Sequence, residues 1–193
     1  MTPRLETPRL VLRHFTPEDW DEVSAMLADS QTIRYMHFAK WTEDQRRQWF
    51  DWCVAISHQP DTNAINWVIA RKDTGQVIGW FGIGVSSDPG FGYLLSRTCW
   101  NQGYMTEALE AVLEYEFNTG NAARIHATCD VANPASARVM EKVGMHRQTT
   151  VYDADFEGNW AHRHHYAVTK AEYEAGSSTD PTKRQTDLRP STE

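Results

Sequence analysis

The sequence predicts a mixed α/β (α+β) fold, a single domain whose central sheet of six to seven strands is flanked by four helices. Three observations carry that prediction. Segments of period two alternate along the chain with segments of helical period, turn and cap residues fall between them, and the pattern stops near Ala175.

Arg9 to His14 alternates as a first strand. Thr16 then caps a helix, with Pro17 in its first turn and Glu18 and Asp19 near the positive end of the dipole; Trp20, Val23, Met26 and Leu27 form its apolar stripe. Thr42 caps a second helix, with Gln45 placed for a capping box and Trp49, Trp52, Cys53 and Ile56 on one side. Ile65 to Arg71 and Gln76 to Val85 pair as a hairpin around Lys72-Asp73-Thr74-Gly75, with Val77, Phe81, Ile83 and Val85 expected on one face. Gly90 to Ser96 is the next strand. Tyr104 to Thr119 is helical, with Met105, Ala108, Leu109 and Val112 inward. Arg124 to Val131 alternates, placing Ile125, Ala127, Cys129 and Val131 on the apolar side. Pro134 opens a short helix that Gly144 ends, and strands near Met145 to Tyr152 and Trp160 to Val168 follow. Residues 1–175 therefore form the domain. Residues 176–193 hold no aromatic and one large aliphatic, Leu188, too little apolar surface to offset ordering entropy, and are expected to be a disordered tail.

The bulk numbers bound the function. The chain has 193 residues, and a net charge of -7 argues against general nucleic-acid binding, which needs excess Lys and Arg. Three cysteines, Cys53, Cys99 and Cys129, form no C-x-x-C pair, so neither a disulfide framework nor a zinc site is expected. No segment has the apolar length of a signal peptide or a membrane span, and a cytoplasmic location is the default expectation.

Two stretches carry chemistry. In Trp100-Asn101-Gln102-Gly103-Tyr104-Met105-Thr106-Glu107-Ala108 a strand hands over to a helix. The first amides of a helix lack internal partners and sit at the positive end of its dipole, so a diphosphate can dock there. Gly103 allows close backbone approach, and Thr106 offers a hydroxyl. The bland alternative is a glycine that merely permits a turn. Neither a Walker loop nor a dinucleotide fingerprint is present. In Asn133-Pro134-Ala135-Ser136-Ala137-Arg138-Val139-Met140-Glu141-Lys142-Val143-Gly144-Met145, Ser136 shares the inward stripe with Val139 and Met140, while Arg138 and Lys142 share the solvent face. An inward serine in a first turn is also a common local backbone partner.

Together these stretches resemble the GNAT superfamily of acyl-CoA N-acyltransferases, and within it the Rim-type ribosomal-protein N-terminal acetyltransferases. Thr7-Pro-Arg-Leu-Val-Leu-Arg is similar to that branch's opening strand, and the resemblance spans Thr7 to Thr169. It implies a mostly antiparallel sheet splayed between the strand ending at Ser96 and the strand ending at Val131. It implies that acetyl-CoA is the cosubstrate, with pantetheine on the backbone of Leu94, Leu95 and Ser96. The diphosphate would rest on Gln102, Gly103, Tyr104, Met105 and Thr106, with Asn133, Ser136 and Arg138 as further contacts. The loop departs from the superfamily pattern where Trp100 replaces Arg or Gln, Asn101 replaces a glycine and Met105 replaces a small residue. Asn tolerates unusual backbone angles, so Asn101 is compatible with binding.

The resemblance further implies acetyl transfer to a primary amine, a protein or peptide N-terminus in that branch. A small-molecule amine (antibiotic, polyamine or amino acid) and a non-catalytic acyl-CoA sensor are the rival readings, and a homodimer is compatible with the family. Ser136 is the expected general acid at the leaving sulfur. The branch's acidic base position falls on His162, with Asp130 as the second candidate and a bridging water as the third; the bland reading of His162 is a surface or packing histidine. Cys129 is expected in the core rather than as a nucleophile. No metal is expected at His162, His164 and His165, which lack partners at zinc spacing. Trp20, Trp49 and Trp52 have core spacing, and Trp41, Trp80 and Trp160 are candidates to line an acceptor pocket.

Overall fold

The computed structural model describes residues 2–36, 40–59, 62–119, 122–154 and 160–177. Its strands form two sheets. Strands β1 (Leu5–Glu6), β2 (Leu10–Arg13), β3 (Ala64–Arg71), β4 (Val77–Gly84) and β5 (Phe91–Leu95) are antiparallel neighbours in that order. Strands β6 (Arg124–Asp130), β7 (His146–Ala154) and β8 (Trp160–Thr169) form the second sheet, in the order β6-β8-β7. The sheets meet where Gly90 bridges His126 in parallel, and the His126 N–H reaches the Pro89 carbonyl at 3.1 Å. Beyond this junction β5 and β6 part. The expected splay is therefore present.

Two cores hold the first sheet. Helices α1 (Trp20–Ala28) and α2 (Glu43–Ser57) cover one face, burying Val23, Leu27, Phe50 and Cys53 against Val68, Ala70, Trp80 and Leu94. Helix α3 (Tyr104–Asn118) covers the other, with Leu109, Val112 and Phe117 against Trp67, Ile69 and Phe81. The Val, Leu, Ile and Phe side chains among them are buried, each contributing about 1.5–3 kcal/mol. The caps agree with the sequence: the Thr42 N–H donates to Gln45 Oε1 at 2.8 Å and the Gln45 N–H to Thr42 Oγ1 at 3.3 Å. Asp19 does more than face a dipole. Its buried carboxylate takes both ends of the Arg13 guanidinium at 2.6 and 2.8 Å, tying β2 to the start of α1. Helix α4 (Pro134–Lys142) ends on Gly144 at φ 86°, where the Met145 N–H returns to the Met140 carbonyl at 3.1 Å.

Four details differ from the sequence expectation. Val77 does not share a face with Phe81 and Ile83. A bulge between Ile69 and Ala70 inserts Ile78 into β4, so Val77 joins the α1/α2 side while Ile78, Phe81 and Ile83 face α3. Val85 and Val131 lie past their strand ends and are exposed. Trp52 is 45% exposed, because the buried stripe of α2 runs through Phe50, Cys53 and Ser57, and Trp52 sits a full 100° step off it. A fifth helix, α5 (Lys170–Ser177), follows β8 and lays Tyr173 on Phe117 at 5.1 Å. The tail expected at 176–193 thus begins inside α5, and residues 178–193 lie outside the described residues.

Candidate active site

The end of β5 offers backbone to the parting. Antiparallel pairing sends alternate amide and carbonyl groups to the neighbouring strand. The Gly90 carbonyl bonds the Gly84 N–H and the Ser96 N–H bonds the Ile78 carbonyl, so Gly92 and Leu94 also face β4. The amides and carbonyls of Tyr93 and Leu95 then point the other way, into the splay. Of the expected backbone contacts, Leu95 presents its N–H; Leu94 is engaged with β4, and Ser96 gives its N–H to β4 and its carbonyl to the Cys99 N–H at 2.9 Å. The Trp100 indole N–H rests on the Leu95 carbonyl at 2.8 Å.

Past β5 the chain turns through Arg97–Cys99 into α3. Asn101 adopts φ 59° and Gly103 φ 80°, so the asparagine stands in the left-handed conformation a glycine would otherwise supply. No side chain caps the first turn of α3, which leaves its first amides to an outside acceptor. Tyr104 and Met105 anchor that turn by burying their side chains, and Thr106 is half-buried beside them. Gln102 is turned to the loop itself, its Nε2 donating to the Thr98 carbonyl at 2.9 Å.

A clasp holds the turn in place. Glu107 Oε1 accepts from Thr7 Oγ1 at 2.5 Å and from the Arg9 N–H at 2.9 Å, and Oε2 accepts from Arg9 Nε at 2.6 Å. Arg9 also donates to the Gln102 carbonyl at 2.9 Å and lies 4.4 Å over the Tyr104 ring. An acidic residue in the first turn would repel a bound anion; here the guanidinium offsets it. A Cβ on Gly103 would approach Arg9 Nη2 to 3.3 Å.

The second half of the site opens α4. Asn133 Oδ1 accepts the Ser136 N–H at 3.2 Å, and Ser136 Oγ lies 2.7 Å from Tyr93 Oη, across the splay from β5. A cleft of about 100 Å³ runs here, lined among others by Tyr93, Cys129, Asp130, Asn133, Ser136 and Arg163, enough for a slim chain but not for a whole nucleotide. Asp130 Oδ1 takes the Ala132 N–H at 2.7 Å, and Tyr35 Oη donates to the Ala132 carbonyl at 2.6 Å, bringing the segment after α1 to the cleft mouth. Burial, with the Asp130 charge adding to it, pushes the Cys129 thiol up to about 11. It is a core thiol on the apolar face of β6, as its alternation predicts. Burial also pushes the Tyr93 phenol well up, opposed in part by its bond to Ser136.

The structure therefore gathers Ser136, Asp130 and Asn133 at one cleft and places Gln102 to Thr106 at the turn below it. It does not gather His162 or Arg138. His162 lies against Tyr152, ring centroids 5.0 Å apart, and is not among the residues lining the cleft; strand alternation sets it on the opposite face of β8 from Arg163, which is. A position along β8 fixes a residue's number but not the face it meets. Arg138 is exposed on the outer side of α4. His164 Nδ1 lies 2.7 Å from Thr150 Oγ1 and His165 Nε2 lies 2.8 Å from Asp153, on opposite faces of the strand. Trp80 is a core residue whose indole donates to Asn66 at 2.9 Å, Trp41 packs against the α1/α2 core, and Trp160 is exposed; none lines the cleft. Sequence reasoning missed Tyr93, Arg9, Tyr35 and Arg163. Arg9 and Glu107 each stand inside a quoted motif, but nothing in the spacing shows that they meet.

A sheet parted beside a parallel junction, with an uncapped helix start at the end of one parted strand, can receive an extended ligand that carries a phosphorylated end. The profile of the acetyltransferase (GNAT) domain matches residues 9–146, and the chain belongs to that family. It is 30% identical to the uncharacterized N-acetyltransferase YnaD of Bacillus subtilis over 88% of this chain and 98% of that protein. An acetyltransferase of the GNAT family from Bacillus anthracis superposes with a TM-score of 0.77 at 26% identity, over 87% of this chain and 99% of the other. Two more distant structures share the fold. RimL, a ribosomal L7/L12 alpha-N-protein acetyltransferase solved with coenzyme A, has a TM-score of 0.74 at 15% identity over 86% and 97% of the two chains. A spermidine N-acetyltransferase from Vibrio cholerae, solved with CoA and spermine, has 0.72 at 15% over 87% and 99%. The protein is an acyl-CoA-dependent N-acetyltransferase. Its donor set suits that cosubstrate: bare helix amides for a diphosphate, and strand amides and carbonyls for the amide-rich pantetheine arm.

Proposed function

We propose that the protein acetylates the N-terminal amine of a protein or peptide, in a single complex with acetyl-CoA. The observation that carries the choice of acceptor is the charge of the cleft. Among its described lining residues Asp130 is the one carboxylate, and the Arg163 cation stands directly across from it in strand register. A polyamine carries several ammonium groups and calls for several acids. A peptide N-terminus carries one amine followed by neutral amides.

Proton affinity favours the same acceptor. An α-amino group titrates near about 7.7–8.0, against about 10.4 for a lysine-type amine, so at neutral pH far more of it is already the free nucleophile. A cleft with one carboxylate, Asp130, suits it. The nitrogen attacks the thioester carbon, the C–S bond breaks with its electron pair on sulfur, and the sulfur takes a proton from Ser136 Oγ. The proton lost by nitrogen passes to Asp130 or to cleft water and returns to Ser136. Holding both substrates in one narrow cleft supplies much of the acceleration, and proton transfer by a placed group adds about 10²–10⁴-fold.

The fold shared with a spermidine N-acetyltransferase keeps a small amine as the second reading. A thiol-release assay with acetyl-CoA and a panel of short peptides, amino acids and polyamines separates them. The proposal expects the highest kcat/KM on a free peptide N-terminus. A preference for polyamines would reverse the acceptor, and CoA binding with no turnover on any amine would leave only a sensor.

A further inference from the structure

We propose that Tyr93 is a positioning residue for acyl transfer: its phenolic O–H donates to Ser136 Oγ and so aims the Ser136 proton into the cleft, at the leaving sulfur. The inference rests on the reading of Ser136 as the proton donor.

The geometry is specific. Tyr93 Oη lies 2.7 Å from Ser136 Oγ and 3.3 Å from the Ser136 carbonyl, so the shorter contact is with the hydroxyl. Neither group is free to drift. The Tyr93 ring packs beside the stacked pair Phe81 and Phe91, 6.0 Å from each and tilted by 23° and 21°. Ser136 is fixed by its own amide on Asn133 Oδ1 at 3.2 Å. Each hydroxyl holds one proton, so the contact has two possible directions. If serine donated to tyrosine, its proton would be locked in place and useless to sulfur. A phenol is a far stronger acid than an alkyl alcohol, and the better donor of the two. With tyrosine donating, the serine proton turns to a third partner: the Cys129 thiol, which Ser136 also hydrogen-bonds, and, with acetyl-CoA bound, the leaving sulfur in the cleft that both residues line. A hydrogen bond received at Oγ also stabilises the negative charge that gathers there as the proton leaves. Burial holds the phenol in its protonated form, so Tyr93 keeps its own proton throughout the reaction.

The alternative is a purely mechanical pin between β5 and α4. The two separate in a double-mutant cycle of Tyr93→Phe and Ser136→Ala, with kcat, both KM values and thermal midpoints measured on each variant. Tyr93→Phe keeps the stacked ring and removes only the hydroxyl. We expect kcat to fall about tenfold with both KM values within twofold of the parent, and the double variant to be no slower than Ser136→Ala. A parent kcat in Tyr93→Phe, or a loss that multiplies in full with that of Ser136→Ala, would overturn the inference. So would a raised acetyl-CoA KM with a lowered midpoint and unchanged kcat, the mark of a pin. If Ser136→Ala itself turns over at the parent rate, the reading of Ser136 fails first and takes this one with it.

Discussion

The Arg9 guanidinium closes on the Glu107 carboxylate at 2.6 Å while the same side chain reaches the Gln102 carbonyl at 2.9 Å. The bend that leads into β2 thereby braces the turn that opens α3. The pair is partly exposed, which limits its worth to about 1 kcal/mol, but it sets the direction of the amides proposed to grip the diphosphate. Arg9→Ala is expected to raise the acetyl-CoA KM about fivefold with kcat unchanged, read from steady-state kinetics. An unchanged KM would mean the turn holds its shape without the clasp.

Gly103 sits in backbone that L side chains rarely adopt. At φ 80° an L side chain is strained, and its Cβ would press on Arg9 Nη2. Gly103→Val should weaken CoA binding at least tenfold by calorimetry and lower stability by about 1–2 kcal/mol. Affinity equal to the parent would place the diphosphate elsewhere.

Ser136 and His162 should separate sharply. Ser136→Ala is expected to lower kcat by about 10²-fold with CoA affinity within twofold. His162→Ala should keep the parent pH–rate profile, because its ring packs on Tyr152 away from the cleft. A flattened acidic limb in His162→Ala would return that residue to the mechanism.

What the sequence reveals and what it hides divide along one line. Local periodicity, caps and turn glycines depend on neighbours in the chain, and Thr42, Gly75, Gly103 and Gly144 sit where their residue types demand. Val77 changes face because Ile78 is inserted into β4 as a bulge, visible in the register against β3 and not in the period of the sequence. Tyr93 and Ser136 lie 43 residues apart and meet only because two sheets part, so a motif reading finds the serine and passes over the tyrosine. Helix α5 did carry a local signal: Thr169 and Glu172 form a capping pair, with the Thr169 N–H on Glu172 Oε2 at 2.8 Å.

Glu116 predicts a pH dependence of stability separate from catalysis. It lies buried in α3, and burial pushes its carboxyl from 4.5 up to about 7. The folded state therefore holds a proton that the unfolded chain releases, so this group's contribution is fully present below about 4.5 and is lost as pH rises toward 7. Glu116→Gln should flatten that slope and stabilise the protein at pH 8 by on the order of 1 kcal/mol, measured by urea denaturation across pH. A slope identical to the parent would show the carboxylate to be solvated.

The most direct test is a crystal structure with acetyl-CoA or CoA bound. The account predicts the diphosphate on the amides of Tyr104 to Thr106, the pantetheine arm along the Tyr93 backbone and the Leu95 N–H, and the sulfur within hydrogen-bond reach of Ser136 Oγ. A cofactor lying outside the parting of β5 and β6, or with its sulfur remote from Ser136, would contradict it.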